Sequence, residues 1–204
     1  MARPSTFGNM VLSLTIICLV CSALLGVVYS VTKAPIEAAE VAKVNQAIAA
    51  VVPEFDNVPS EEMTVVGDSE VYPAMKDGSV VGYAIKVKTS GFGGALQMMV
   101  GFTNDGTIYN TSIISHSETP GLGAKITDEN IQPRAQVVGK NAATTNLTVS
   151  KDGGDIDAIT ASTITSRAFL KGVNAAYEIF KQVAQPQEEE AAEPETVNTE
   201  EDEQ

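Results

Sequence analysis

The stretch "VVGYAIKVKTSGFGGALQMMVGFTNDGTIYNTSIISH", residues 80–116, contains three successive runs with the residue types of β-strands. Asn104, Asp105 and Gly106 join the second run to the third with the chemistry of a hairpin turn. The first run alternates between apolar residues and small or charged ones, which is the pattern of a strand with one buried face. The alternating apolar residues are Val81, Tyr83, Ile85 and Val87. The stretch therefore predicts an antiparallel sheet.

Further strand and helix patterns lie on either side of this stretch. "MTVVG", residues 63–67, is a short β-like run, and another strand is predicted at residues 146–150. Apolar residues recur at helical spacing just before Pro53, and a weak helix is predicted near residues 128–139. The last ordered element is a helix that begins near Thr163. Its single apolar stripe consists of Phe169, Val173, Ala176, Phe180 and Val183.

The chain divides into an apolar N-terminal segment, one domain and a charged tail. Residues 10–31 contain no charged side chain and are long enough to cross a bilayer of about 30 Å as a helix. A cleavable signal peptide is the alternative, although its apolar region is usually about 7 to 15 residues long and no good small-x-small cleavage site follows here. Residues 34–184 are predicted to form one α+β domain, an antiparallel sheet with helices packed on it. Residues 185–204 contain nine acidic residues and no basic one, which is typical of a disordered, solvated tail.

Charge and composition exclude several classes of function. The net charge is -13 and the domain has no basic stripe, which argues against nucleic acid as a partner. Cys18 and Cys21, the two cysteines of the chain, lie inside the apolar segment, where a packing role is favoured over a redox dithiol. The domain therefore has no thiol for a disulfide or a metal site. His116 is the single histidine, so a histidine-based zinc site lacks ligands and no metal is predicted.

In the segment "DAITASTITSRAF", residues 157–169, four hydroxyl side chains lie within the six positions 160–165, at the predicted start of the last helix. A helix N-terminus presents unpaired backbone N–H groups and the positive end of the helix dipole, so it can hold a phosphate without a basic cluster. The alternative is an ordinary N-cap formed by Ser162, with the neighbouring threonines playing no special part. From the residues alone both interpretations stay open. The hydroxyl residues are Thr160, Ser162, Thr163 and Thr165.

This segment resembles the flavinylation motif D-x-x-[ST]-G-A-T of a known family. The family is the FMN-binding domain shared by the G subunit of the Rnf electron transport complex and the C subunit of the sodium-pumping NADH:quinone oxidoreductase. The match falls on Asp157, Thr160 and Thr163. It departs at Ala161, where the motif has Gly, and at Ser162, where the motif has Ala, and both replacements are small.

A second segment carries the same resemblance. "SHSETPGLGAKI", residues 115–126, is similar to the family's E-T-P-G-L-G loop, without a change over residues 118–123. A rigid Pro-Gly turn of this kind can lie against a flat ring. "TSGFGG", residues 89–94, accompanies it, and the similarity extends over nearly the whole chain apart from the tail. The distance between the apolar segment and the threonine motif favours the Rnf G subunit within the family.

The resemblance implies an FMN cofactor and a set of residues that hold it. The final threonine of the motif, Thr163, is implied to carry FMN covalently through its phosphate. Asp157 is implied to serve recognition by a separate flavin transferase, and no catalytic residue is implied in this chain. The implied cofactor-binding residues are Thr163, Glu118, Thr119, Pro120, Gly121, Leu122, Gly123, Thr160, Ser162, Ile164 and Thr165. His116 is interpreted as a loop residue that can add a hydrogen bond.

The resemblance also implies a place in a complex. The chain is expected to be an electron-transfer subunit without a complete active site of its own. It would relay electrons between neighbouring membrane subunits of an Rnf-type complex that couples ferredoxin and NAD to ion translocation. Residues 1–9 would then be cytoplasmic and residues 34–184 would lie outside the bacterial cytoplasmic membrane. Two alternatives remain, a free-standing flavin relay on the outer face and a flavin-free anchored binding or structural module.

Overall fold

The computed structural model describes residues 7 to 184, and the chain divides into two compact units between Asn45 and Gln46. The first helix, α1 (Phe7–Val51), begins in the first unit and ends in the second. Among the described residues it is the one helix long and apolar enough to cross a membrane. The predicted acidic tail lies outside the described residues.

One continuous helix takes the place of the predicted apolar span and the separate helix after it. Pro35 lies inside α1 and removes one backbone hydrogen bond, yet the helix continues because alanine-rich sequence follows the proline. The helix ends at Val51, two residues before Pro53, as expected from the restricted backbone of a residue that precedes proline.

The domain is built on a five-stranded antiparallel sheet in which neighbours in the sequence are neighbours in space. The strands are β1 (Thr64–Val66), β2 (Ser69–Lys76), β3 (Ser79–Ser90), β4 (Ala95–Thr103) and β5 (Ile108–His116). The α+β prediction is confirmed, and the runs predicted in residues 80–116 form β3, β4 and β5. The predicted turn at Asp105 is present, and hydrogen bonds from Thr103 and Thr107 lower the pKa of the Asp105 carboxyl to about 2.

Strand β2 was not predicted, because Pro73 interrupts its pattern and proline is disfavoured inside a sheet. The structure tolerates Pro73 since β1 pairs with β2 only as far as Val71, so the missing N–H of the proline is not needed by that neighbour. On the other side Pro73 lies opposite Tyr83 of β3.

Both faces of the sheet are covered. The last helix, α3 (Thr163–Ala184), packs on one face, where Gly172 lies so close to Met98 that a Cβ there would approach the Met98 Cε to 2.7 Å. The buried residues of α3 that join this core are Ala168, Phe169, Leu170, Val173, Ala176 and Phe180. On the opposite face the carbonyl of Val51, at the end of α1, rests against Gly101 of β4, where a side chain would collide with it. The predicted stripe of α3 is therefore buried except for Val183, which is half-buried.

Between β5 and α3 the chain forms short elements only: a 3₁₀ turn (Gly123–Thr127), the helix α2 (Arg134–Val137) and a 3₁₀ turn (Ser150–Asp152). The helix predicted near residues 128–139 is thus reduced to one turn. The predicted strand at residues 146–150 is wrong, since only Val149 makes an isolated bridge, to Ile156. Its backbone bonds instead to the turn that follows, while Leu147 and Val149 enter the core beneath α3.

Arg134 fastens α2 to the sheet. Its side chain is 3% exposed, and its guanidinium donates hydrogen bonds to Thr111 Oγ1 at 3.2 Å, to the Thr127 carbonyl at 2.6 Å and to the Thr111 carbonyl. Burial lowers the pKa of Arg134. These bonds make α2 a fixed element beside the loop that follows β5.

Candidate functional site

The site begins at the N-terminus of α3. Thr163 is the first residue of this helix and is half-buried. Ser166, one turn along, accepts a hydrogen bond from the Ile159 N–H at 2.9 Å and donates one to the Ser162 carbonyl at 3.1 Å. The turn before α3 is closed by a bond from the Ser162 N–H to the Ile159 carbonyl at 2.9 Å. The backbone that leads into Thr163 is therefore held by the first turn of its own helix.

Ala161, in the turn before the helix, has a left-handed backbone with a φ of 60°. A residue with a Cβ rarely adopts this conformation, whereas glycine does so at no steric cost. The family motif has glycine at this position. From the sequence, small size was the inferred reason for small residues there, but the backbone angle supplies the stronger reason.

Glu118, 5% exposed, connects the other segments of the site to this helix. Its Oε1 accepts a hydrogen bond from the Phe92 N–H at 2.9 Å, and its Oε2 accepts one from Thr165 Oγ1 at 2.7 Å. One carboxylate thus joins the loop between β3 and β4 to the first turn of α3. Two glycines make room for it, because a Cβ at Gly91 or Gly123 would collide with the carboxylate.

The residues that follow Glu118 form the expected turn. The Leu122 N–H donates to the Thr119 carbonyl at 3.2 Å, and Gly121 has a φ of 76°, as the third residue of a type II turn requires. His116 lies before the turn, where its Nδ1 accepts a hydrogen bond from the Glu118 N–H at 3.2 Å.

These segments enclose an open cavity of about 350 Å³. Its volume lies in the range of small-molecule sites, about 300 to 1,000 Å³. Ten residues line it: Phe92, Glu118, Thr119, Leu122, Gly123, Ala161, Ser162, Thr163, Ile164 and Thr165. Three of them are exposed apolar side chains, 45 to 67% accessible: Phe92, Leu122 and Ile164.

None of these ten lining residues is basic. The nearby Arg167 is engaged by Asp152, whose carboxylate accepts two hydrogen bonds from it at 2.7 Å, and this pairing lowers the pKa of Asp152. An anion in the cavity would therefore be held by the unpaired N–H groups of the first turn of α3 and by the helix dipole. Within residues 7 to 184, no cluster of three or more His, Cys, Asp or Glu side chains could hold a metal ion.

The structure brings most of the predicted site residues together. Those that line the cavity are Glu118, Thr119, Leu122, Gly123, Ser162, Thr163, Ile164 and Thr165. Pro120, Gly121 and Thr160 do not line it. Thr160 is exposed on the turn, and Asp157 lies outside the cavity, where it accepts hydrogen bonds from Gln136 and Ser150.

Two lining residues were absent from the predicted set. Ala161 belongs to the motif itself, and Phe92 belongs to "TSGFGG", where the sequence analysis gave the aromatic residue no role. No local signal marked Phe92, because a single apolar side chain on a loop is common and by itself does not indicate a ligand.

Comparison with known proteins identifies the family of the chain. Residues 91–178 match the FMN-binding domain family. The chain is 34% identical over 169 residues to the G subunit of the proton-translocating ferredoxin:NAD(+) oxidoreductase complex of Clostridium ljungdahlii, covering 81% of this chain and 87% of that one. It is 32% identical over 183 residues to the G subunit of the ion-translocating oxidoreductase complex of Methanosarcina acetivorans, covering 86% and 95%. Among solved structures, the C subunit of the Na(+)-translocating NADH-quinone reductase of Parabacteroides distasonis matches with a TM-score of 0.49 and 22% identity, over 67% of this chain and 80% of that one.

Proposed function

The chain belongs to the family of G subunits of ion-translocating oxidoreductase complexes, and from this premise we propose that it carries FMN joined through phosphate to Thr163. One observation carries the proposal. Thr163 is a half-buried hydroxyl residue in the first turn of α3, and it lines the same cavity as the Glu118 to Gly123 loop. A phosphate ester on its Oγ1 would lie beside the unpaired N–H groups of the helix start.

The other hydroxyl residues of the segment are less suited to attachment. Thr165 is 1% exposed and its hydroxyl is committed to Glu118. Ser162 is 7% exposed and directly precedes the helix, and Thr160 lies on the turn away from the cavity. Thr163 alone combines partial exposure with a place in the first helical turn.

The apolar part of the cavity suits a flat ring. Phe92, Leu122 and Ile164 would contact it, and the Pro-Gly turn would border it without binding the phosphate. Pro120, Gly121 and Thr160 would act through the shape of their turns, since they do not line the cavity. FMN held there would supply one-electron and two-electron redox chemistry.

Attachment requires a second protein. A threonine hydroxyl is a weak nucleophile, and the carboxylate that lines the cavity, Glu118, already accepts two hydrogen bonds. We infer that a flavin transferase acts on the chain with FAD as donor. Thr163 Oγ1 would form a bond to the phosphorus of the FMN half, the bond from that phosphorus to the AMP half would break, and AMP would leave. The hydroxyl proton would pass to a base of the transferase, and no electron would be transferred in this step.

The site would relay electrons within a membrane complex. The relatives are subunits of complexes that are named as a proton-translocating ferredoxin:NAD(+) oxidoreductase and an ion-translocating oxidoreductase. These names support other membrane subunits of such a complex as the partners of this chain. We infer that α1 crosses the bacterial cytoplasmic membrane over residues 10–31, with residues 1–9 on the inner side and residues 34–184 on the outer side. A covalent bond would keep FMN on the protein outside the cytoplasm.

Mass spectrometry of the full chain tests the proposal. The protein is expressed with a flavin transferase, denatured and cleaved after Lys151 and Arg167, which releases a peptide of residues 152–167. We expect this peptide to gain the mass of FMN less a water, with fragment ions that assign the gain to Thr163. Thr163→Val should abolish the gain, whereas Thr163→Ser should retain it because the hydroxyl remains.

Thr144→Val is the matched control, since it removes an exposed threonine hydroxyl outside the motif. An adduct that persists in Thr163→Val, or that disappears in Thr144→Val as well, would contradict the assignment. Absence of any adduct on the wild-type peptide would favour a flavin-free anchored module. An adduct on a protein that purifies without other membrane subunits would favour a free-standing flavin relay.

A further inference from the structure

Asp157 is bound by its own protein on both carboxylate oxygens. Its Oδ2 accepts a hydrogen bond from Gln136 Nε2 at 2.9 Å, and its Oδ1 accepts one from Ser150 Oγ at 3.1 Å. Its backbone N–H donates to Gln136 Oε1 at 2.6 Å. Asp157 and Gln136 are thus joined by two reciprocal hydrogen bonds. We call these three residues the Asp157 clamp.

The clamp connects the modification segment to a fixed part of the fold. Gln136 belongs to α2, and α2 is held against β5 by the buried side chain of Arg134. Ser150 begins the 3₁₀ turn that precedes the segment. At the other end, the Ile159 N–H is bound by Ser166 of α3. The turn that contains Thr160 and Ala161 is therefore fixed on both sides.

We propose that Gln136 is a positioning residue for flavin attachment. Its two hydrogen bonds to Asp157 would hold the turn before Thr163 in the shape that a flavin transferase accepts. This inference rests on the proposed function. It assigns the aspartate of the motif an internal partner, since both oxygens of this exposed carboxylate accept hydrogen bonds from its own protein. Recognition by the transferase then depends on the shape of the segment and not on a direct contact with the Asp157 charge.

An exchange of the two side chains distinguishes shape from charge. In Asp157→Asn alone, the asparagine Oδ1 can take the place of Oδ2 and accept from Gln136 Nε2, while its Nδ2 donates to the Ser150 hydroxyl, so the bonds are kept and the charge is removed. In Gln136→Glu alone, two carboxylates face each other. The double variant restores both bonds with one direction reversed, because the new carboxylate at position 136 accepts from the backbone N–H and from the side-chain amide of residue 157. This variant has no carboxylate at position 157.

The experiment measures the rate at which a flavin transferase and FAD modify the unloaded full-length chain. We expect kcat to fall about tenfold in Gln136→Ala and in Gln136→Glu, as when one or two hydrogen bonds of ordinary strength are lost, with KM changed much less, whereas Asp157→Asn should stay within about threefold of the wild type. The double exchange should return kcat to within about threefold of the wild type. Gln182→Ala, which replaces an exposed glutamine on α3, is the matched control and should be modified at the wild-type rate.

Hydrogen exchange of the Asp157 amide in the unloaded chain gives a readout without flavin. The amide should exchange faster in Gln136→Ala and slowly again in the double exchange. A wild-type rate of modification in Gln136→Ala would overturn the inference, and so would an Asp157→Asn variant or a double exchange that is as slow as Gln136→Ala. If Gln136→Ala were modified slowly and the variant were also unfolded, the local role of the clamp would be overturned. Absence of modification in the wild type would instead refute the proposed function.

Discussion

Replacement of Glu118 by alanine should destabilise the domain, because this carboxylate joins the loop between β3 and β4 to the first turn of α3. The change removes the acceptors of the Phe92 N–H at 2.9 Å and of Thr165 Oγ1 at 2.7 Å. A hydrogen bond to a charged group contributes about 1.5 to 3 kcal/mol. Two such bonds set an upper limit of about 6 kcal/mol.

The net loss is smaller than this limit for two reasons. Alanine removes the cost of burying a carboxylate that is 5% exposed, and water from the open cavity can reach the two freed donors. We therefore expect the free energy of unfolding to fall by about 2 to 3 kcal/mol. For a domain of this size, that loss lowers the melting temperature by roughly 8 °C.

Urea denaturation of the unloaded full-length chain, followed by tyrosine fluorescence, measures this loss, since the chain contains no tryptophan. Glu118→Gln is the conservative control. Its Oε1 can accept from the Phe92 N–H while its Nε2 donates to Thr165 Oγ1, so it should lose less than about 1 kcal/mol. Glu61→Ala removes an exposed glutamate and should change the stability by less than about 0.5 kcal/mol. A loss below about 1 kcal/mol in Glu118→Ala would refute the bridging role of this side chain.

Two further predictions concern the turn before α3 and the topology of the chain. Ala161→Gly should raise the free energy of unfolding by about 0.5 kcal/mol, because relief of the strained left-handed backbone outweighs the added entropy of the unfolded chain. A urea titration in which the variant is less stable than the wild type would contradict this. A reporter that is active only outside the cytoplasm should be active when fused after Ala184, and activity of a cytoplasmic reporter at the same position would reverse the proposed orientation.

Local patterns account for much of the fold. The alternation in β3, the residue types of the turn at Asp105 and the apolar stripe of α3 each lie within one short stretch, and each predicted its element. The start of α3 at Thr163 was likewise predicted, because the stripe and the hydroxyl residues lie next to each other. The loop from Glu118 to Gly123 could be assigned to the candidate site only through its resemblance to a family, since a Pro-Gly turn by itself has no distinctive chemistry.

Where local patterns were weak, neighbours decided the structure. Strand β2 contains Pro73, which a strand tolerates only where the adjacent strand does not need its N–H, and that depends on how far β1 extends. Residues 146–150 have the composition of a strand, but their backbone bonds to the following turn and their apolar side chains enter the core beneath α3. Neither outcome can be deduced from the residues of the segment alone.

The sequence by itself determined the apolar helix, the three hairpin strands, the last helix and the threonine at its start, because periodicity and capping act over a few residues. Tertiary structure alone decided that Glu118 reaches Thr165, 47 positions away, and that Asp157 meets Gln136, 21 positions away. It also decided that Phe92 reaches the cavity and that Ala161 adopts a left-handed backbone. The physical reason is that a hydrogen bond or a cavity wall requires groups within a few ångströms in space, and their separation along the chain does not specify that distance.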